Sequence, residues 1–378
     1  MKIINVGSIY EIYPDDAVKT FDSLPAATYK VRFNKMSGFF LEKVDNLTVN
    51  GKIYGMHEKK TDKIISSYKV FDKNLGVILS GSKGIGKSLF ARLLANKVLK
   101  TNMPVILVDD YIPGVADFLS SIHQECMVFF DEFEKTFDSE RFDEGQDPQS
   151  TLLGLFDGTS NGKKLFVITC NNIHRLNEFF INRTGRFHYH FRFVHPTSAE
   201  ITEYLMDNVD EKVNRKEEID KIIAFSRKVP LTFDSLHSIA FELNLGEKFE
   251  DVIEDLNILN TKSSLERRVE IYFNNGEILI CSGYQARQLE LFKTKESSLN
   301  VYDANEEYAG NIIGNFYEAT YDVNDDCLIY KGELKYSPDR DSSFYEKFKN
   351  DKIYPVEAKI YSEYNSVASE YSFGYNRR

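Results

Sequence analysis

The sequence predicts an α/β fold: a parallel sheet of five strands covered by helices on both faces, a helical subdomain after it, and β-rich segments before and after. Three observations predict it. The apolar run Gly76-Val77-Ile78-Leu79 leads into a glycine-rich turn, and residues 88–99 then carry apolar side chains at helical spacing. From 104 to 193 short apolar runs alternate with helical patterns, as strands and crossover helices do. From 196 to 259 only the helical period remains.

In chain order, residues 1–55 read as an N-terminal β-rich segment, a small sheet preceding the α/β core. Residues 27–33 alternate like a half-buried strand, and 47–54 hold Asn50-Gly51, a hairpin signal. The core spans 56–195. It opens with a polar helical segment at 57–71, with Tyr54-Gly55 just ahead of it. Its strands are 76–79, 104–108, 126–132, 164–169 and 187–193, and shorter helices fall at 115–123 and 150–156. The helical subdomain, 196–260, starts at a capping box, Thr197-x-x-Glu200, and continues through 211–227, 234–243 and 247–256. A polar, turn-like stretch at 260–264 marks the boundary to a C-terminal β-rich domain, 261–378, whose clearest feature is an Asn275-Gly276 hairpin across 269–280. The tail, 371–378, is too short to assign.

Composition narrows the classes. At 378 residues the chain exceeds one compact core. A net charge of −11 and a pI near 5.3 disfavour a broad grip on nucleic acid, although a local basic lining is left open. The four cysteines are far apart, so neither a zinc site nor a disulfide framework is expected, and a reducing cytoplasm suits them. No signal-peptide core and no membrane-length apolar run is seen.

Four motifs carry chemistry, and ligands of such sheets bind beyond the carboxyl ends of the strands. Gly81-Ser82-Lys83-Gly84-Ile85-Gly86-Lys87-Ser88 reads G-x-x-x-x-G-K-S, a phosphate-cradling loop. Its glycines let backbone N–H groups of Ser82, Lys83, Gly84, Ile85 and Gly86 turn onto phosphate oxygens at the positive end of the helix that runs on through Leu89. Lys87 would reach the β- and γ-phosphates of ATP, and the Ser88 hydroxyl would bind Mg²⁺. Phe129-Phe130-Asp131-Glu132 delivers two acids from an apolar strand, Asp131 toward the metal and Glu132 to polarise an attacking water. A solvated strand end opening an acidic loop is the alternative, since Glu134, Asp138 and Glu140 follow. Thr169-Cys170-Asn171-Asn172 ends the next strand; an Asn here can hold the water, and spacing prefers Asn171, while a turn-forming Asn pair is the plainer reading. Asn182-Arg183-Thr184-Gly185-Arg186-Phe187 sets two arginines three apart, fit to stabilise transition-state charge on a neighbour's γ-phosphate or to sit on a surface turn.

Together these segments resemble, in order, the Walker A, Walker B, sensor-1 and arginine-finger elements of AAA+ ATPases, a group of P-loop NTPases. Leu152 to Gly158 also looks like that family's helix ending in Leu-Asp-Gly. The resemblance covers about residues 55–260. It implies a ring of identical subunits, usually a hexamer, with ATP at the interfaces. Lys87, Ser88, Asp131, Glu132 and Asn171 would act in cis, and Arg183 and Arg186 in trans. The family's pore loop carries an aromatic-apolar-Gly signature; Tyr111-Ile112-Pro113-Gly114 is either a version of it or a plain turn. No arginine begins the helix at Thr232, so no second-sensor arginine is seen. His188, His190 and His195 read as strand packing rather than metal ligands, Lys59-Lys60 and Arg267-Arg268 as solvated faces, and Asp322 to Asp326 as a turn. The function expected is a Mg-ATP-hydrolysing, cytoplasmic ring ATPase that remodels or translocates a macromolecular partner, most readily a protein. The alternatives are an assembly or structural subunit with slow turnover and a DNA-acting loader or translocase. Flanks that match no nameable family are compatible with a phage or prokaryotic mobile-element origin.

Overall fold

The computed structural model describes the chain except at positions 7, 50, 56, 139–146, 158–161, 182–185, 257, 259–265, 290, 292–293, 323, 351 and 364–378. It divides into two compact units, Met1–Phe193 and Val194–Arg378.

In the first unit a two-stranded ribbon, β1 (Lys2–Val6) and β2 (Ile9–Tyr13), precedes β3 (Thr28–Asn34) and β4 (Gly38–Val44). Then come α1 (His57–Val70), β5 (Leu75–Ser80), α2 (Lys87–Leu99), β6 (Val105–Val108), α3 (Val115–Ser120), β7 (Cys126–Phe130), α4 (Phe133–Thr136), α5 (Pro148–Thr151), α6 (Leu153–Phe156), β8 (Lys164–Cys170), α7 (Glu178–Ile181) and β9 (Phe187–Arg192). The main sheet has seven strands in the order β4-β3-β6-β7-β8-β5-β9, not five. The two additions come from the segment expected to form a sheet of its own. β3 runs parallel to β6, with Thr28 opposite Val105, and β4 closes the edge antiparallel. The reason is the hydrogen-bonding edge of β6: left bare it would expose its backbone donors and acceptors, and β3 pairs with them while burying Ala27, Tyr29 and Val31. The hairpin expected at 47–54 does not form. Residues 45–49 and 52–54 carry no strand, and Asn50 lies outside the described residues.

β5, β7 and β8 are buried along their whole length, which is why they read as continuous apolar runs rather than alternating ones. Apolar residues on one face meet α1 and α2 through Ile64, Tyr68, Phe90 and Leu94. The other face meets an aromatic cluster that includes Phe130, Phe133, Phe137, Phe156, Phe180 and Phe187.

The second unit begins with α8 (Ser198–Asn208), α9 (Arg215–Ser226), α10 (Phe233–Leu245) and α11 (Phe249–Asp255). Thr197 and Glu200 form the capping box read from the sequence, and Gly246, at φ 101°, ends α10. There follow β10 (Glu266–Phe273), β11 (Ile278–Cys281), α12 (Gly283–Arg287), β12 (Ser297–Tyr302), β13 (Tyr308–Gly314), β14 (Thr320–Asp322), β15 (Cys327–Tyr330), β16 (Leu334–Pro338), α13 (Ser343–Asn350) and β17 (Pro355–Glu363). These strands make an eight-stranded antiparallel sheet, and Asn275-Gly276 turns β10 into β11 as its sequence predicts. Arg267 is a correction. Expected on a solvated face, it is buried and donates to the carbonyls of Lys228 and Leu289. With Arg227, which pairs with Asp326, it ties the helices to the sheet within the second unit; the boundary expected near 260 lies outside the described residues. The Asp322 turn is present: its Oδ1 accepts from the backbone of Asn324 and Asp325.

Candidate active site

The sheet order brings distant segments together. β8 lies between β5 and β7, with Ser80 opposite Cys170 and Phe130 opposite Ile168. The loop 81–86, the pair Asp131-Glu132 and Asn171 therefore leave the same rim of the sheet.

The loop needs its glycines. Gly81, Gly84 and Gly86 have φ of 143°, 74° and 97°, and a Cβ on Gly81 would stand 2.4 Å from the Phe193 carbonyl oxygen. Ile85 packs into the core, while Lys83 and Leu89 are exposed. Lys87 is buried. Its Nζ donates to the carbonyls of Gly81 and Ser82, each at 2.7 Å, and to Asn171 Oδ1 at 2.9 Å. Burial pulls the ammonium below its ordinary pKa, and Glu134, Asp131 and Glu132 pull against it.

The acids are held by their neighbours. The Thr169 hydroxyl donates to Asp131 Oδ1 at 2.5 Å and accepts the backbone N–H of Glu132 at 2.9 Å. Ser88 Oγ lies 3.4 Å from the same Asp131 oxygen. Glu132 adopts a left-handed backbone, φ 46° and ψ 48°, a strained conformation for a non-glycine residue. Lys135 donates to Glu132 Oε1 at 2.6 Å, and this bond holds the carboxyl below its usual pKa. The Asn171 amide nitrogen stands 3.5 Å from the same oxygen. Sequence reasoning missed Thr169, whose hydroxyl reads as ordinary strand content, and Glu134, which reads as belonging to an acidic loop yet is 2% exposed. It also missed His57, which stacks on Phe193 at 5.2 Å and meets Phe90 edge-on, so that the start of α1 abuts the glycine loop.

The two arginines fare differently. Arg183 lies outside the described residues. Arg186 is buried, and its guanidinium grips the Asp157 carboxylate with both arms, one at 2.6 Å, while Nη1 donates to the Phe179 carbonyl at 3.2 Å. The sequence suggests a role in trans for Arg186; in this structure its side chain is engaged within its own chain. Tyr111 leans edge-on against Phe137 at 5.5 Å. The Val115 N–H bonds the Ile112 carbonyl across Pro113-Gly114, with Gly114 at φ 92°, so this stretch is a turn that opens α3. His190 bonds Ser80 and His188 packs on Phe71; among the described residues no cluster of three metal-capable side chains occurs.

Residues 77–194, just under a third of the chain, match the AAA family, described as "ATPase family associated with various cellular activities". The chain carries an AAA ATPase domain. The matched segment runs from within β5 to just past β9, so it contains the glycine loop, Asp131-Glu132 and Asn171 but not His57. No curated protein matches the chain. Among the described residues of the AAA domain and the rest of the chain, no helix is long and apolar enough to cross a membrane.

Proposed function

We propose that the chain is a Mg-ATP-hydrolysing AAA+ ring ATPase that remodels or translocates a protein partner. The observation that supports it best is the convergence of Lys87, Ser88, Asp131, Glu132 and Asn171 at one rim of the sheet, linked directly or through Thr169 by contacts of 2.5–3.5 Å. The backbone of 82–86, continued by Lys87, Ser88 and Leu89, cradles the triphosphate at the N-terminus of α2. Ser88 and Asp131 present hard oxygens to the same place, a donor set suited to magnesium, which would screen charge on the phosphates when bound. Lys87 exchanges its loop carbonyls for phosphate oxygens. Glu132 accepts the proton of the attacking water, and Asn171 orients that water. Arg183 of a neighbouring protomer completes the site, while Arg186 is anchored on Asp157 where β9 begins. Helices α8–α11 serve as a lid, and the β-rich flanks dock the partner. The ring is a homo-oligomer, hexameric by the family's habit.

The test is calorimetry with a slowly hydrolysed ATP analogue, steady-state turnover, and particle mass with nucleotide present. Lys87→Ala is expected to abolish uptake. Glu132→Gln is expected to bind ATP, to lose about 10²-fold or more in turnover, and to stabilise the ring. A chain that stays monomeric with nucleotide and takes up no ATP ends the proposal; undiminished turnover in Glu132→Gln removes the base. Stimulation of turnover by DNA would favour the DNA-acting alternative, and turnover that stays slow with any partner would favour the assembly-factor alternative.

A further inference from the structure

A third carboxylate reaches the site from below. Glu134 stands in α4 between Phe133 and Phe137, whose stacked rings, 4.7 Å apart, are fully buried and fix the backbone there. Its Oε1 accepts two hydrogen bonds from one residue: the Asn171 backbone N–H at 2.8 Å and the Asn171 Nδ2 at 3.0 Å. Its Oε2 is buried with no hydrogen-bond partner among the described residues. A buried carboxylate with one idle oxygen is costly, and an apolar residue would pack there at lower cost.

The geometry points to Glu134 as the positioning residue that sets the orientation of the Asn171 amide. The inference rests on the water-orienting role proposed for Asn171. An asparagine amide can sit in its site in two orientations related by a half-turn, donor and acceptor exchanged. A carboxylate only accepts, so Glu134 admits just one of them, with Nδ2 toward itself. Oδ1 must then face Lys87, where it accepts at 2.9 Å. Nδ2 has two protons. One is committed to Glu134, and the second is left on the side of Glu132, whose Oε1 is 3.5 Å away. That second proton is the one an attacking water between Glu132 and Asn171 would meet. The backbone bond adds a second constraint, because it holds the end of β8 at a fixed height against α4.

The experiment compares Glu134→Ala, Glu134→Asp and Glu134→Gln in the full chain, alone and with Asn171→Ala. Glu134→Ala is expected to lower kcat about 10- to 100-fold, as loss of a hydrogen bond to a charged group does, and to leave the affinity for an ATP analogue within about 2-fold. Glu134→Asp keeps the charge but withdraws the acceptor by one methylene, and should show the same pattern if the alanine variant does not fold. Glu134→Gln keeps an acceptor in place and should recover most of the rate. On the Asn171→Ala background Glu134→Ala should cost nothing further. Without nucleotide, hydrogen exchange of the 169–172 amides should speed up in Glu134→Ala and Glu134→Asp but not in Glu134→Gln. Additive losses, a fall in affinity matching the fall in kcat, or unchanged exchange would overturn the inference. Full turnover in Asn171→Ala would instead sink the role proposed for Asn171, and exchange would still report on the contact.

Discussion

Thr169 shows how much rests on one hydroxyl. It is 1% exposed and serves two groups at once, donating to the Asp131 carboxylate and accepting from the Glu132 backbone. Thr169→Val keeps the shape and leaves both partners unmet, so it should cost about 1–3 kcal/mol of stability and about 10-fold or more in ATP turnover, while Thr169→Ser keeps both contacts. Urea unfolding and steady-state hydrolysis of the pair check this. Gly81 makes the opposite argument, from an absent side chain. At φ 143° and with the Phe193 carbonyl 2.4 Å from where a Cβ would stand, Gly81→Ala must displace backbone. Calorimetry should find ATP uptake lost in that variant.

At the scale of elements, Arg186, which stands just ahead of β9, is buried in an ion pair with Asp157. Removing one partner of such a pair leaves an uncompensated charge. Because Asp157 keeps 38% side-chain exposure, Arg186→Ala should cost about 2–3 kcal/mol, below the range for fully buried pairs and above that for surface pairs. Arg183→Ala, acting at the proposed finger, should lower turnover and spare ATP binding. A denaturation midpoint set beside a turnover assay separates the two arginines. The aromatic cluster beneath the site is the stronger restraint. Phe156 meets Phe130, Phe166, Phe180 and Phe187 at 4.7–5.9 Å, so Phe156→Ala should cost about 3–5 kcal/mol by denaturant titration.

Across the whole molecule, each unit closes its own core and hides its own thiols: Cys126 and Cys170 in the first, Cys281 and Cys327 in the second. Burial pushes the first two up to about 12 and the last two to about 11. At neutral pH the thiolate, the form that reacts, is scarce and shielded. All four cysteines should therefore resist a thiol reagent in the native protein and react once denaturant opens the chain; rapid native labelling of any of them would contradict the packing.

The sequence by itself determined what local backbone chemistry dictates. A strand, a loop whose glycines take positive φ and a helix starting at Lys87 are consecutive in the chain, so their spacing carries the phosphate cradle. The continuous apolar runs of β5, β7 and β8 likewise announce strands buried on both faces, and Thr197 with Glu200 announces a helix start. Tertiary structure alone decided what depends on residues far apart. Insertion of β8 between β5 and β7 brings Asn171 to Lys87 across 84 positions. Addition of β3 to the bare edge of β6 made seven strands of five, because an unpaired backbone edge is satisfied by whichever segment can reach it. Glu134 and Arg267 read as surface charges, and Arg186 as an interface arginine or a surface turn, because a charge in sequence carries no sign of its surroundings; only packing reveals that all three are buried, Arg186 and Arg267 on acceptors and Glu134 with one oxygen on Asn171.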